Sequence, residues 1–356
     1  MSGFDMHEVG NIIKSLRKQK GLTQADLAEH VNIDIATLSK IENGHAMPKQ
    51  GTLKSLLEKL RFDFGDAMPL FLSKKDAQFE TIRKKGITLT NTMTPDFIEK
   101  MQDFLNEIES DKDLISDDLI RQYTMHVKGI MLKHPALMEI FASWGRPGIP
   151  KEQSIKERED FSFSAQTQAN LTEAIALYHE ALRITIPAFE VEKITEYYFC
   201  ATEISMVISL ADIYYWTGEE DTGINIYMAM EASISGLVRR NFFFEHYPVI
   251  IVNLCNLLIF KRRINEALAY ANKGLKKAVQ LGLPMIPLLA YMKGFAMVEK
   301  VYKEHGAYDV PEAAEAKTIL RDAYHGSRLI GRADAQMYIS DIFKHYFKTH
   351  VDGTPL

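Results

Sequence analysis

The chain has 356 residues, of which 46% are hydrophobic and 25% are charged, and it carries a formal net charge of −5. This length allows two or three domains with sizeable cores, and the composition is typical of a globular protein. No apolar run reaches the roughly eighteen residues of a membrane span, and MSGFDMHEVG has neither the basic nor the apolar region of a signal peptide. We therefore expect a cytoplasmic protein. Its two cysteines, Cys200 and Cys255, lie in apolar patterns that favour buried thiols over a disulfide.

The first predicted helix runs from about Glu8 to Lys20. One face is apolar, and the other carries basic side chains, which are Lys14, Arg17, Lys18 and Lys20. These side chains are candidates for contacts with DNA phosphates. A solvated basic face without a ligand is the alternative, and the pattern alone leaves both open.

Residues 21–44, GLTQADLAEHVNIDIATLSKIENG, are typical of two short helices joined by a tight turn. Thr23 and Asp26 have the spacing of a reciprocal cap for the first helix. The buried face of that helix is predicted to consist of Ala25, Ala28 and Val31.

The turn and the second helix have signals of their own. Asn32 can adopt the left-handed backbone conformation that ends one helix, and Asp34 can cap the next. Leu38 and Ile41 are predicted to point inward. The outer face near the N-terminal end then consists of Ile35, Ala36, Thr37 and Lys40, which is where a recognition helix contacts bases.

The first sixty or so residues resemble the Cro/phage-repressor (Xre) class of helix-turn-helix domains. The resemblance rests on Thr23-Gln24, Ala28, the turn and the tail Ser39, Ile41, Glu42 and Gly44, with Asn32 where glycine is more usual. It implies a five-helix DNA-binding domain over residues 1–72, whose short fifth helix would include Phe64 and Leu70. The predicted DNA-binding residues are Arg17, Lys18, Gln24, Ile35, Ala36, Thr37, Lys40 and Lys49.

The charge of this domain predicts its assembly. Residues 1–60 contain eight Lys and Arg against seven Asp and Glu. Phosphate neutralisation supplies much of the affinity for DNA, so one copy would bind weakly. We therefore expect a homodimer on double-stranded operator DNA, and no membrane partner.

Residues 73–94 are predicted to form a helical linker, because the segment is polar and charged without glycine or serine enrichment. Thr94-Pro95 is typical of a helix start, and a second amphipathic helix is predicted from about Asp118 to Leu132. The breaker cluster WGRPGIP at residues 144–150 is predicted to separate this entry bundle from the rest of the chain.

Beyond this cluster, small and aromatic residues recur at the spacing of tetratricopeptide repeats. Two clear copies lie 44 residues apart, measured from Ala211 to Cys255, and a third starts near Gly294. Ala174 and Tyr178 indicate the second helix of an earlier copy whose first helix is not evident. A last helix, about residues 333–347, would cover the final repeat. The predicted fold is all-α, with a right-handed helical-repeat solenoid over residues 95–356.

Stacked helix pairs form a concave groove lined by their first helices, and polar residues there are candidates for ligand binding. Asn253 and Asn256 lie three residues apart in an otherwise apolar helix, and amides can hold the backbone of an extended peptide. The alternative is that each amide satisfies a helix end or a buried water. The full predicted peptide-binding set is Ser209, Asp212, Tyr215, Trp216, Asn253 and Asn256.

The sequence contains no HExxH, P-loop or GxSxG motif, and its eleven histidines have no ligand spacing. It therefore predicts no catalytic residues, no metal site and no cofactor. The combination of domains resembles the peptide-pheromone-responsive regulators of Gram-positive bacteria, the PlcR, PrgX, NprR and Rgg group. This resemblance implies a dimeric transcription factor that a short signalling peptide controls. The alternative is that the repeats dock another folded protein.

Overall fold

The computed structural model describes residues 5–62, 74–92, 96–144, 161–238, 246–283 and 285–355. Within these ranges the chain is helical and contains no β-strand, only one isolated bridge between Thr349 and Pro355. The predicted all-α class is confirmed. The chain forms two compact units, Met1–Phe104 and Leu105–Leu356. No helix in the described ranges combines the length and apolarity needed to span a membrane.

The first unit begins with four short helices around a small core. These are α1 (Met6–Gln19), α2 (Gln24–His30), α3 (Ile35–Glu42) and α4 (Gln50–Lys59). Their shared core consists of Val9, Ile13, Leu27, Ala28, Leu38, Ile41, Leu53, Leu56, Leu57 and Leu60. Helix α5 (Lys74–Thr92) follows, and α6 (Phe97–Ser110) begins in this unit and ends in the second. The predicted fifth helix near Phe64 and Leu70 lies outside the described residues, as does the Thr94-Pro95 helix start.

Local hydrogen bonds set the boundaries of α2 and α3. The Asp26 amide donates to Thr23 Oγ1 at 3.1 Å, and the Thr23 amide donates to Asp26 Oδ2 at 2.8 Å, which is the reciprocal cap that the sequence predicts. Asn32 has φ 54°, so it takes the left-handed conformation. Asp34 then caps α3 by accepting from the Thr37 amide at 2.7 Å.

The buried face of α2 differs from the prediction. Leu27 and Ala28 are buried, Val31 is half-buried, and Ala25 is exposed. Leu27 offers far more apolar surface than Ala25, so turning its side of the helix inward is more favourable. The prediction chose small residues by spacing and omitted the largest one.

The second unit is a series of helix pairs. Its elements are α7 (Lys112–Ile115), α8 (Asp118–Trp144), α9 (Ala165–Thr185), α10 (Ala201–Trp216), α11 (Glu220–Val238), α12 (His246–Phe260), α13 (Ile264–Leu281), α14 (Ile286–His305), α15 (Ala314–Leu329) and α16 (Ala333–Ile342). The pairs are α8/α9, α10/α11, α12/α13 and α14/α15, and the first helices of successive pairs also contact each other. The predicted helical-repeat domain is confirmed.

Helix α8 corresponds to the helix predicted from about Asp118 to Leu132, and it is the partner of α9 that the sequence did not identify. It continues through Pro135 as far as Trp144, past the predicted end at Leu132, and it packs along α9. A side chain at Gly129 would collide with the Tyr178 ring, whose nearest carbon lies 2.4 Å from the expected Cβ position. The absence of a side chain at Gly129 therefore lets α8 and α9 pack closely. Of the predicted breaker cluster, residues 145–150 lie outside the described residues.

The later pairs also meet at small residues. A Cβ added to Gly223 of α11 would lie 2.5 Å from the Ala211 carbonyl oxygen, and one added to Gly274 of α13 would lie 2.7 Å from Ile251. The third predicted copy is present as α14/α15, with a 3₁₀ turn at Pro311–Ala313 before α15. The chain then ends in α16 and a π-helical turn, Phe343–Phe347, whose two phenylalanines are buried.

Candidate DNA-binding and ligand-binding sites

The outer face of α3 presents several of the predicted base-reading side chains. Ile35 is 50% exposed, although it is a large apolar residue, and Ala36 and Lys40 are also exposed. Thr37 is half-buried, and its hydroxyl donates to Asp34 Oδ2 at 2.7 Å. Leu38, on the opposite side, is fully buried and fixes the rotation of the helix.

A buried ion pair attaches α3 to α1. Arg17 Nε donates to Glu42 Oε1 at 2.5 Å and Nη2 donates to Oε2 at 2.8 Å, while Gln24 Nε2 also donates to Oε2 at 2.8 Å. Burial raises the pKa of Glu42, but the hydrogen bonds from Arg17 and Gln24 more than offset it, so the pKa lies below its ordinary value. The hydrogen bonds to Glu42, together with its charge, raise the pKa of Arg17. A bidentate pair of this kind holds α3 in one orientation.

In the second unit, each first helix has one partly exposed stripe between buried flanks. On α10 the stripe includes Ile208, Asp212 and Trp216, and on α12 it includes Asn253 and Asn256. Because α10 and α12 contact each other, the two stripes adjoin. We call them together the first-helix face.

A chain of hydrogen bonds runs through this face. Lys133 Nζ donates to Asp212 Oδ2 at 2.6 Å, the Tyr227 hydroxyl donates to Asp212 Oδ1 at 2.6 Å, and Asn253 Nδ2 donates to the Tyr227 oxygen at 2.9 Å. The Lys133 ammonium also lies 5.2 Å from the centroid of the Trp216 ring. Burial and the adjacent Asp212 carboxylate raise the pKa of Tyr227 well above its ordinary value. The chain joins four helices: α8, α10, α11 and α12.

Asn256 differs from Asn253. Its side-chain oxygen is buried and has no hydrogen-bond partner among the described residues. An unsatisfied buried acceptor costs about 1–3 kcal/mol. A donor supplied by a ligand or by a bound water would remove this cost.

Comparison with known proteins identifies the first unit. The HTH_3 helix-turn-helix family model matches residues 13–66. The chain carries a helix-turn-helix domain. None of the curated proteins compared with the chain matches it in sequence.

Solved structures share the fold of nearly the whole chain. PlcR from Bacillus thuringiensis, determined with the peptide PapR7 and DNA, has a TM-score of 0.61 at 15% identity, covering 94% of this chain and 99% of that one. A candidate transcriptional regulator from Listeria monocytogenes EGD-e has a TM-score of 0.56 at 14% identity, with 96% and 98% covered. The SHP pheromone receptor Rgg2 from Streptococcus dysgalactiae has a TM-score of 0.50 at 14% identity. The match covers 96% of this chain and 99% of that one. At these identities the likeness establishes the fold.

Within the helix-turn-helix domain, one predicted DNA contact has another role. Arg17 is only 8% exposed, and its remaining nitrogen, Nη1, donates to the Leu22 carbonyl at 2.8 Å. The structure thus gives Arg17 an internal role in place of the predicted phosphate contact, because buried Glu42 requires a cation. Lys18 and Lys49 are exposed, so their phosphate contacts remain predictions, and Gln24 is half-buried.

One residue of the predicted peptide-binding set lies off the first-helix face. Ser209 is only 6% exposed and lies close to Tyr178 of the first pair, so a ligand on the face would not reach it. Its prediction rests on spacing along α10, which does not show which side the first helix pair covers. Tyr215 is half-buried and lies near Gly223 of α11, so its contact with a ligand stays a prediction.

The sequence also missed two residues that organise the face, Lys133 and Tyr227. Asp212 was the available signal, because a carboxylate in an apolar helix requires a buried donor or cation. The partner could not be identified, since Lys133 lies 79 residues away along the chain.

Proposed function

We propose that this chain is a transcriptional regulator that binds operator DNA as a homodimer and responds to a short signalling peptide on its first-helix face. The helix-turn-helix domain supports the DNA-binding part. The fold, shared with PlcR determined with PapR7 and DNA, supports the peptide-controlled part.

One observation on the chain itself carries the peptide proposal, and it is the unsatisfied oxygen of Asn256. A linear peptide loses conformational freedom on binding, so it needs several backbone hydrogen bonds as well as apolar burial. The Asn256 side chain is only half-buried, so a turn of its amide group would let this oxygen accept from a peptide N–H. The half-buried Ile208 and Trp216 offer apolar surface on the neighbouring helix.

The two asparagines should contribute differently. Asn253 uses its Nδ2 group to hold Tyr227, so it supports the repeat structure as well as any ligand. Asn256 has no such bond through its oxygen. Removing Asn256 should therefore affect the ligand, while removing Asn253 should also affect stability.

The dimer is proposed from charge. The exposed face of α3 carries a single basic residue, Lys40, and the first sixty residues are nearly neutral. Two copies on two half-sites would double the number of phosphate contacts. We expect the dimer contact to involve the repeat unit and α5.

The experiment is calorimetric titration of the full chain with synthetic peptides encoded by short open reading frames beside its gene. Asn256→Ala should weaken binding of the cognate peptide by about 1–3 kcal/mol, which is tenfold or more over most of that range. The variant should be no less stable to unfolding than the wild type, because it lacks the unpaired buried oxygen. Its binding to DNA without peptide should match the wild type. If the wild type binds none of the peptides but copurifies with one folded protein, docking of that protein replaces peptide binding as the function of the repeats.

A further inference from the structure

The first turn of α3 presents an apolar surface. Ile35 and Ala36, its first two helical residues, are exposed, and Ile35 does not belong to the core around Leu38. At 50% exposure, Ile35 leaves half of its apolar surface without a partner in the fold. The exposed apolar surface stands at the end of α3 that enters the major groove in helix-turn-helix domains.

The polar side chains of the same turn are already engaged. The Thr37 hydroxyl donates to Asp34 Oδ2 at 2.7 Å, and the Thr37 amide donates to Asp34 Oδ1 at 2.7 Å. Both carboxylate oxygens of Asp34 therefore accept hydrogen bonds within the turn. The Thr37 hydroxyl likewise donates its hydrogen bond within the turn.

Base edges in the major groove differ in donors, acceptors and one apolar group. Guanine and adenine are read by hydrogen bonds, which the side chains of Ile35 and Ala36 cannot make. Thymine alone presents a methyl group, at C5, and this group is read by apolar contact. We propose that Ile35, supported by Ala36, recognises the C5-methyl group of thymine, so that the base pairs beneath the first turn of α3 are A·T.

This inference rests on the proposed DNA-binding function and adds its sequence preference. Lys40 lies beyond the first turn and is exposed, so it is the one cation of α3 available for a guanine or a phosphate. A half-site therefore combines thymine beneath Ile35 with a separate contact for Lys40. The apolar contact also requires the fixed orientation that the Arg17–Glu42 pair gives to α3.

The test begins with selection of operator sequences from random DNA by the full-length protein. Each thymine of the selected site is then replaced by deoxyuridine, which removes only the C5-methyl group. At one or two positions per half-site, this replacement should weaken wild-type binding by about three- to fivefold, the effect of burying one methyl group.

Ile35→Ala identifies the side chain responsible. This variant should bind the thymine operator more weakly and should lose the difference between thymine and deoxyuridine at those positions. The matched control is Ile330→Ala, which truncates an isoleucine that is 55% exposed in the repeat unit and should keep the full difference. The affinities of the wild type and of Ile35→Ala for the thymine operator and for the deoxyuridine operator form a thermodynamic cycle. This cycle measures the interaction between one side chain and one methyl group.

The outcomes separate this inference from the function on which it rests. If no sequence is enriched, DNA recognition itself fails, and this inference fails with it. If a site is enriched but deoxyuridine binds as well as thymine throughout, the thymine contact alone is overturned. Retention of the full difference by Ile35→Ala would overturn the assignment to Ile35.

Discussion

At the scale of single residues, local interactions were predictable and distant ones were not. Thr23 and Asp34 cap their helices as the sequence indicates, because their partners lie three residues away. Arg17 was predicted to face DNA, but its partner Glu42 lies 25 residues away, so no local pattern could show the pair. The left-handed conformation of Asn32 was again local and was predicted.

The Arg17–Glu42 pair should be essential to the helix-turn-helix domain. Arg17→Met leaves the fully buried Glu42 side chain without its cation, and we expect a loss of about 3–5 kcal/mol in the free energy of unfolding. Both tryptophans, Trp144 and Trp216, lie in the second unit. During urea unfolding of the full chain, the lost stability should therefore appear as an earlier transition in circular dichroism. The transition seen by tryptophan fluorescence, which reports the second unit, should stay unchanged.

A compensating variant provides the control for that result. Arg17→Met combined with Glu42→Leu removes both charges and should recover most of the lost stability. If Arg17→Met alone unfolds like the wild type, the pair does not hold α3.

The pH dependence of stability gives an independent check of the pair. The pKa of Glu42 is lowered in the folded chain, so the stabilisation from its carboxylate is present above its ordinary pKa of 4.5 and is lost as the pH falls below that value.

His126 predicts a second acid-sensitive step, in the repeat unit. Burial, with the nearby Lys133 charge, lowers the pKa of His126 to about 3. Between about pH 6.5 and pH 3, the unfolded chain therefore binds a proton that the folded chain does not. As the pH falls through this window, the free energy of unfolding decreases by on the order of a few kcal/mol. Tryptophan fluorescence during urea unfolding should show this dependence, and His126→Phe should reduce it. Part of the pH dependence should remain in His126→Phe, because burial also lowers the pKa values of His134 and His179.

At the scale of elements, periodicity identified most helices, but one pairing was missed. The sequence predicts that helix α8 ends near Leu132 and that the breaker cluster at residues 144–150 separates it from the rest of the chain. The helix instead extends through Pro135 to Trp144 and is the partner of α9. The tight contact between Gly129 and Tyr178 shows why the pair holds, since close packing along the helices offsets the lost hydrogen bond of one proline. Small residues at contacts such as Gly223 were predictable because repeats require them.

The Lys133–Asp212 bond should contribute to the packing of α8 against α10. Both side chains are largely buried, at 13% and 15% exposure, so Lys133→Met should cost about 1–3 kcal/mol after allowance for residual solvent. The change is measured by tryptophan fluorescence in urea. Lys193→Met removes an exposed pair with Glu190 in the same unit and should change stability by no more than about 0.5 kcal/mol. Equal effects of the two substitutions would show that the buried pair has no special role.

The recognition helix gives a prediction at the same scale. Lys40→Ala should weaken operator binding by about 1–3 kcal/mol and relax the preference at one base pair if Lys40 reads a guanine. Affinities for the selected operator and for random DNA distinguish the two contacts. An equal loss on both assigns Lys40 to a phosphate, and no loss on either places it outside the interface.

At the scale of the whole molecule, the sequence predicted the order of the parts. The helix-turn-helix signature and the repeat spacing were sufficient for the fold class, which the structure confirms. The site was predicted less completely, because Lys133 reaches the first-helix face from the α8/α9 pair and Tyr227 reaches it from α11, the second helix of its pair. Asn256 was found from sequence as a polar residue in an apolar helix, but its unsatisfied oxygen becomes visible only once its neighbours are placed.

Assembly is the first prediction at this scale. Light scattering of the full chain should give twice the 40.6 kDa mass of one copy, and operator DNA should bind one dimer across two half-sites. A monomer that occupies a single half-site with full specificity would contradict the dimer proposal. The selected operator sequence gives the corresponding check, since a dimer requires two related half-sites.

In the proposed function, one ligand on the repeat unit controls the affinity of the helix-turn-helix domain for DNA. Coupling of this kind is reciprocal, so a peptide that changes operator affinity must itself bind differently when the operator is present. The most direct measurement is titration of the selected operator with the full chain, with and without a saturating cognate peptide. We predict a change in operator Kd of about fivefold or more for the wild type. For Asn256→Ala the same change should require a peptide concentration about tenfold higher or more. If the operator Kd of the wild type is unchanged under conditions where calorimetry shows the peptide bound, the peptide does not control DNA binding.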